Sequence, residues 1–279
     1  MKPSKLRTLC GLFALLFCVT ALFSCSSESE GTKPSAVENS EKTELPPEEP
    51  AQYGVGRVVP VEVVHRDWLI CVDPGHGFSD PGTGPGLFAA GTYEREITIA
   101  VARYLKTALE ERGFNVVLTH DGITMPSNGD WNGDNVFSAP YERPGYINTY
   151  VKPDYLVSLH VNAVTDNPYA CGIVVYYSQS GYKVNEWSHE AGQSIVDAIT
   201  ASDLETTAIT KLTNDKETAD ASFAINRETN AASSLIEMGF CTNEADAEHL
   251  QDPAWQEQLA EAIANGIEAF FDVIDASAA

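Results

Sequence analysis

Short apolar runs alternate with amphipathic segments from residue 67 onward, and this order restricts the fold more than any other feature of the chain. Five runs have the length and composition of β-strands: 68–72, 114–119, 155–160, 172–177 and 234–238. Three segments have apolar residues at helical spacing: 94–112, 184–200 and 253–274. The alternation predicts a three-layer α/β domain, in which a central mixed, mostly parallel sheet is flanked by helices on both faces.

The N-terminal residues 1–24 are typical of a secretory signal peptide. Three basic residues precede an apolar run over 9–23, which is too short and too basic at its start to be a good membrane span. The run ends in the letters LFSC, which resemble the bacterial lipobox that directs lipidation of its cysteine, here Cys25. An ordinary cleaved signal with an unrelated cysteine is the alternative. Both interpretations predict an extracytoplasmic protein of the cell envelope, and the first adds a membrane anchor.

Residues 25–64 differ in composition from the segments on either side. They are polar, acidic and proline-bearing, and they cannot bury enough apolar surface to fold. We therefore expect a disordered tether over 25–64, followed by a catalytic domain over 65–279.

The charge argues against a nucleic-acid-binding protein, and the cysteines argue against a disulfide-stabilised scaffold. The formal net charge of −23 argues against a nucleic-acid partner, since such partners need basic surfaces. Beyond Cys25, the cysteines are Cys71, Cys171 and Cys241, whose odd number and single spacing give no disulfide framework. Cys71 and Cys241 lie in or beside apolar runs and are expected to be small core residues.

Polar side chains interrupt or follow the apolar runs where the predicted strands end. Binding sites of open α/β sheets gather beyond the carboxyl ends of the strands, so these side chains are expected to lie at one edge. The residues concerned are Asp73, His76, Glu94, His160, Asn162 and Glu237. Taken singly, Glu94 could merely favour a helix N-terminus, and His160 could be a histidine of the core.

Glu237 is harder to explain as a structural residue. It lies inside the apolar run SLIEM, and burying an unpaired carboxylate costs several kcal/mol. A metal ion or a bound water would offset that cost. Two histidines and one glutamate form a known catalytic zinc set, which leaves a fourth position open for water. The residues at this edge therefore predict a metal site.

Four motifs together resemble the zinc-dependent N-acetylmuramoyl-L-alanine amidases: DPGHG, GTYEREITIAVARYL, SLHVNA and SLIEMGFCTNEADAEHL. The resemblance covers roughly residues 68–273. It implies that His76, Glu94 and His160 bind zinc and that Glu237 is catalytic. Glu96 competes with Glu94 for the second ligand position, and Glu94 is preferred because it opens the EREI start as the family's ligand does.

Three further residues are candidates for supporting the site or binding substrate. Arg227 stands ten residues before Glu237, as in the family, and is expected to bind substrate or brace the site. Asn162 is a candidate for the same kind of support. Asp73 either fixes the tautomer of a ligating histidine or only stabilises the turn.

The resemblance implies a peptidoglycan hydrolase that cleaves the amide between N-acetylmuramic acid and L-alanine of the stem peptide. Zinc-activated water would attack, and Glu237 would move the proton. Peptidoglycan is then the partner, together with a membrane if Cys25 is lipidated, and the sequence points to no particular activator protein. The alternatives are another zinc hydrolase of envelope peptides, such as a carboxypeptidase, and a wall-binding module without turnover.

Some positions depart from the family pattern. His120 ends the second strand where a basic residue is common, although we do not expect it to be a ligand. Phe78 replaces a usual glycine. The loop over 121–142 is long and carries Trp131 and Phe137 among glycines and polar residues, which favours a rim or lid over the substrate, with an unimportant insertion as the alternative.

Overall fold

A computed structural model describes residues 66–77, 80–83, 92–122, 142–178, 186–214 and 223–278. The predicted signal peptide over 1–24, the tether over 25–64 with Cys25, and residues 123–141 of the predicted lid lie outside the described residues, and these interpretations stay predictions. Among the helices that are described, none combines the length and the apolar character that a membrane span requires.

Within the described ranges, six strands form one mixed sheet in the order β2-β1-β3-β6-β4-β5. Their bounds are β1 Leu69–Pro74, β2 Asn115–Leu118, β3 Tyr155–Asn162, β4 Val174–Tyr177, β5 Lys211–Asn214 and β6 Ala232–Phe240. All neighbouring strands run parallel except β4 and β6, which are antiparallel. Strands β2, β1, β3 and β6 therefore end at one common edge, and the predicted mixed, mostly parallel sheet is confirmed.

The larger core lies between one face of the sheet and the long helices. Helix α1 (Glu94–Glu111) packs on β1, β2 and β3, α3 (Glu186–Ala201) packs on β4, β5 and β6, and α6 (Pro253–Ala278) lies against both helices. Apolar side chains at helical spacing produce these contacts, for example Ile97, Val101 and Leu105 of α1, which are almost fully buried.

The opposite face is covered by shorter elements. These are α2 (Glu142–Tyr146), a π-helix (Ile147–Val151) and α4 (Ala224–Glu228), and they enclose a small core around Cys71, Leu156 and Leu235. We call this side of the sheet the site face, because strand register also places Asp73, Ser158, His160 and Glu237 on it. Helices thus lie on both faces, as predicted, but long helices cover one face and short helices the other.

Several elements were not predicted from the sequence, and each has a local reason. Strand β5 (KLTN) pairs only with β4 at the sheet edge, so it lacks the apolar composition of a buried strand. Helix α5 (Glu244–Gln251) is short, and it begins where the Asn243 side chain accepts a hydrogen bond from the Asp246 backbone N–H. The prediction that Cys71 and Cys241 are core residues is confirmed, since both are buried.

Candidate metal centre

The loop after β1 presents His76 at the carboxyl edge of the sheet. His76 has φ 63°, a left-handed backbone that is unusual for a residue other than glycine. The backbone groups of Gly77 and Asp80 exchange two hydrogen bonds of 2.9 Å and close the loop. A side chain at Gly75 would place its Cβ 2.5 Å from the Leu159 carbonyl oxygen, so only glycine lets β1 continue this close to β3.

Glu94 joins the two predicted histidine ligands. Its Oε2 lies 3.2 Å from His76 Nε2, and its Oε1 lies 3.3 Å from His160 Nδ1. One ligand atom from each of the three residues can be chosen so that all lie within 4.8 Å of one another. The elements that bring them together are the loop after β1, the first turn of α1 and the end of β3. Two imidazoles and a carboxylate are a donor set that suits zinc.

Backbone donors hold the Glu94 carboxylate in place. Thr83 N–H donates to Oε2 and Val161 N–H donates to Oε1, both at 2.8 Å. Burial alone would raise the pKa of Glu94, but its contacts with His160 and His76 lower it well below the ordinary value. Burial alone would lower the pKa of His76, but hydrogen bonds to Glu94 and Asp80 raise it to about 9. The carboxylate is thus ionised and fixed between the two rings.

Glu96, the competitor for the second ligand position, has a different function in the fold. Its carboxylate accepts hydrogen bonds from the Tyr93 backbone N–H at 2.7 Å and from Arg95 Nε at 2.9 Å. The side chain is half exposed and caps the start of α1, whereas the Glu94 side chain is almost fully buried. The structure therefore brings Glu94, and not Glu96, to the two histidines.

Glu237 stands beside this cluster on β6. It is the register partner of His160 on β3, so both side chains lie on the site face, and Glu237 is only 7% exposed. Its Oε2 is buried and has no hydrogen-bond partner among the described residues. Burial raises the pKa of Glu237 to about 7, and the nearby His160 opposes this rise. A buried acid of this kind, next to a candidate metal centre, is suited to accept and release a proton.

Asp73 lies at the carboxyl end of β1, directly before the loop that carries His76, and its contacts stabilise that loop. Its carboxylate accepts hydrogen bonds from Thr119 Oγ1 at 2.6 Å and Ser158 Oγ at 2.7 Å, and it pairs with Arg143 Nη1 at 3.1 Å. Arg143 also donates to the carbonyl oxygens of Pro74 and His76, at 2.9 and 2.7 Å. Of the two roles considered for Asp73, these contacts correspond to stabilising the turn.

Three other residues singled out from the sequence are His120, Asn162 and Arg227. His120 uses Nε2 to contact the Pro74 carbonyl oxygen at 2.9 Å, and its Nδ1 accepts from the Gly122 N–H, so its ring braces the loop. Asn162 Oδ1 accepts from the Ala163 N–H at the end of β3. Arg227 lies in α4, where its Nε donates to Glu228 at 2.8 Å. Substrate contacts of Asn162 and Arg227 stay predictions.

Two residues at the site were missed by sequence reasoning. Asp80 contacts His76 Nδ1 at 2.9 Å through Oδ2, and Arg143 holds the loop backbone. A signal for Asp80 was available, because a carboxylate close in sequence to a ligating histidine is a frequent orienting partner of that histidine. No comparable local signal marks Arg143, which lies seventy residues from Asp73.

Comparison with known proteins decides the family. The family model described as N-acetylmuramoyl-L-alanine amidase matches residues 70–269, which is most of the chain. The chain belongs to this family. The match includes every residue of the candidate metal centre and the strand that carries Glu237.

Individual relatives and a solved structure show what the chain is similar to. The Bacillus subtilis protein YqiI, itself uncharacterized, is 28% identical over 205 residues, which cover 73% of this chain and 84% of YqiI. The probable cell wall amidase LytH of Staphylococcus saprophyticus is 26% identical over 74% of this chain, but only 59% of LytH is covered. The CwlD amidase of Clostridioides difficile, solved in complex with the GerS lipoprotein, shares the fold, with 24% identity and a TM-score of 0.59. That match covers 74% of this chain and all of CwlD.

Proposed function

We propose that this amidase hydrolyses the amide between N-acetylmuramic acid and the L-alanine of the stem peptide in peptidoglycan. The observation that carries the proposal is the carboxylate of Glu94 held between His76 Nε2 and His160 Nδ1, beside the buried carboxyl of Glu237. His76, Glu94 and His160 would hold zinc. When bound, zinc supplies a Lewis acid for the amide carbonyl and makes water acidic enough to lose a proton near neutral pH.

Glu237 supplies the proton transfer in this proposal. Its Oε2, which has no hydrogen-bond partner in the part of the chain that the structure describes, takes a proton from the attacking water and later delivers it to the nitrogen of the departing alanine amine. Because the side chain is buried, few alternative hydrogen bonds compete for that proton. Acid–base help of this kind contributes about 10²–10⁴-fold in rate.

The residues around the centre keep these groups in position. Glu94 is fixed by two backbone N–H donors, and the His76 backbone is fixed by Arg143, so little rearrangement is needed when substrate binds. A wall-binding module without turnover would gain nothing from a buried carboxyl group such as that of Glu237, since its burial costs free energy.

Digestion of purified peptidoglycan tests the bond that is cut. The zinc-loaded protein should release intact stem peptides that begin with L-alanine, detected by mass spectrometry, together with glycan strands that have lost those peptides. Peptides shortened at the carboxyl end would favour a carboxypeptidase. A zinc-loaded protein that binds the wall without releasing product would favour a binding module.

We also propose that the enzyme acts outside the cytoplasm and is held at the membrane by a lipid on Cys25, as the N-terminal sequence suggests. A Cys25→Ser variant should move from the membrane fraction to the soluble fraction of the envelope. Unchanged partition into membranes would contradict the lipid anchor.

A further inference from the structure

The carboxylate of Asp80 makes two different contacts at the edge of the candidate metal centre. Its Oδ2 lies 2.9 Å from His76 Nδ1, and its Oδ1 accepts a hydrogen bond of 3.1 Å from the Gly82 backbone N–H. The two hydrogen bonds between Gly77 and Asp80 fix the backbone on which this carboxylate stands. Both oxygens are therefore already committed, one to the imidazole and one to the backbone.

We propose that Asp80 is a positioning residue that selects the tautomer of His76. A carboxylate can only accept, so Nδ1 must carry a proton to donate to Oδ2. When a cation binds, it displaces the proton of the other nitrogen, Nε2, and the ring is neutral; Nε2 is the atom that faces Glu94. The inference rests on the proposed metal site, because it explains how the lone pair of Nε2 is kept available for a cation.

The contact with Gly82 determines how the side chain of the isosteric variant Asp80→Asn would be oriented. The amide oxygen must face the Gly82 N–H, because an NH₂ group there would oppose one donor to another. The NH₂ group is then directed at His76 Nδ1, which must become an acceptor. The proton of the neutral ring moves to Nε2, where it blocks the atom that would bind the metal. Replacing the carboxylate partner of a histidine by an amide is known to select the wrong tautomer in this way.

Asp80→Ala acts differently, because it removes both contacts. The His76 ring then loses its orienting partner but keeps a free choice of tautomer. We expect zinc affinity to fall about 10–100-fold for the alanine variant, the range seen when such an outer partner of a metal ligand is lost. The asparagine variant should bind zinc more weakly than the alanine variant, although it is closer to the natural side chain in shape.

A purely structural role for Asp80 predicts the reverse order. If Asp80 mattered only as the acceptor for Gly82, the asparagine oxygen would preserve that bond and the alanine variant would be the weaker binder. The order of the two variants therefore separates tautomer selection from turn stabilisation. The Asp80 side chain is one third exposed, so neither change leaves a buried cavity, and circular dichroism of the zinc-free proteins checks that both fold.

The experiment is a zinc competition titration against a chromophoric chelator, with wild type, Asp80→Ala, Asp80→Asn and His76→Ala in parallel. Glu96→Gln serves as the matched control and should bind zinc like wild type. The expected order of affinity is wild type, then alanine, then asparagine, and ¹⁵N NMR of the zinc-loaded wild type should show His76 protonated at Nδ1. An asparagine variant equal to or tighter than the alanine variant would overturn the inference. A wild type that binds no zinc, or a His76→Ala variant that binds it fully, would instead overturn the proposed metal site.

Discussion

The buried ion pair between Asp73 and Arg143 should be one of the most sensitive points of the fold. Asp73 is 1% exposed and Arg143 is 7% exposed, and Arg143 makes further hydrogen bonds to two carbonyl oxygens of the His76 loop. The substitution Asp73→Asn keeps the shape of the side chain and an acceptor for Thr119 or Ser158. It removes the negative charge to which Arg143 Nη1 donates its hydrogen bond.

The expected loss in free energy of unfolding is about 3–5 kcal/mol, the usual cost of removing one partner from a buried ion pair. The double variant Asp73→Asn/Arg143→Met should lose less than the sum of the two single variants, because each single variant already removes the contact between the two side chains. Urea unfolding followed by tryptophan fluorescence measures all four proteins, with a chelator present so that metal binding does not contribute. A loss below about 1 kcal/mol, or additive single variants, would refute the buried-pair reasoning.

The contribution of the Asp73–Arg143 pair to the free energy of unfolding should depend on pH. Burial alone would raise the pKa of Asp73, but Arg143, Thr119 and Ser158 lower it below its ordinary value. A carboxyl group whose pKa is lowered by folding contributes stability above its unfolded pKa, about 3.9, and loses that contribution as the pH falls through the folded pKa. The difference between wild type and Asp73→Asn should therefore be constant near neutral pH and shrink below about pH 4.

Three further substitutions, one of them a control, test the geometry of the metal centre. Gly82→Ala would place a Cβ 2.6 Å from Glu94 Oε2 and 2.7 Å from His76 Cδ2, on a backbone with φ +67°. Zinc affinity measured by titration should therefore fall at least about tenfold. An affinity equal to that of the wild type would show that the loop relaxes freely. Glu94→Ala should lose most zinc affinity whereas Glu96→Ala keeps it, and the opposite result would exchange the two glutamates as ligands.

The elements and the principal residues could be predicted because their signals are local. Apolar periodicity identifies α1, α3 and α6, and the carboxyl ends of β1 and β3 place His76 and His160 at one edge. Glu237 stands out because a carboxylate within an apolar strand needs an explanation. Each of these inferences depends on neighbours within a few positions along the chain.

The contacts that orient the site could not be predicted in the same way. Arg143 reaches Asp73 from an element seventy residues away, so no local pattern connects them. Asp80 has a partial sequence signal, because it lies four residues after His76, but their contact depends on a loop conformation in which His76 has a left-handed backbone. Strand β5 was missed because a polar edge strand has little apolar composition, although its partner β4 was found.

The most direct test of the account is the substitution Glu237→Gln in the zinc-loaded enzyme. The amide keeps the volume of the side chain but cannot accept the proton of the attacking water. Zinc content should stay at about one equivalent, while release of stem peptides from peptidoglycan falls by about two to four orders of magnitude. Near-normal release with zinc in place would contradict the assignment of Glu237 as the proton carrier, and loss of the metal would make Glu237 a ligand instead.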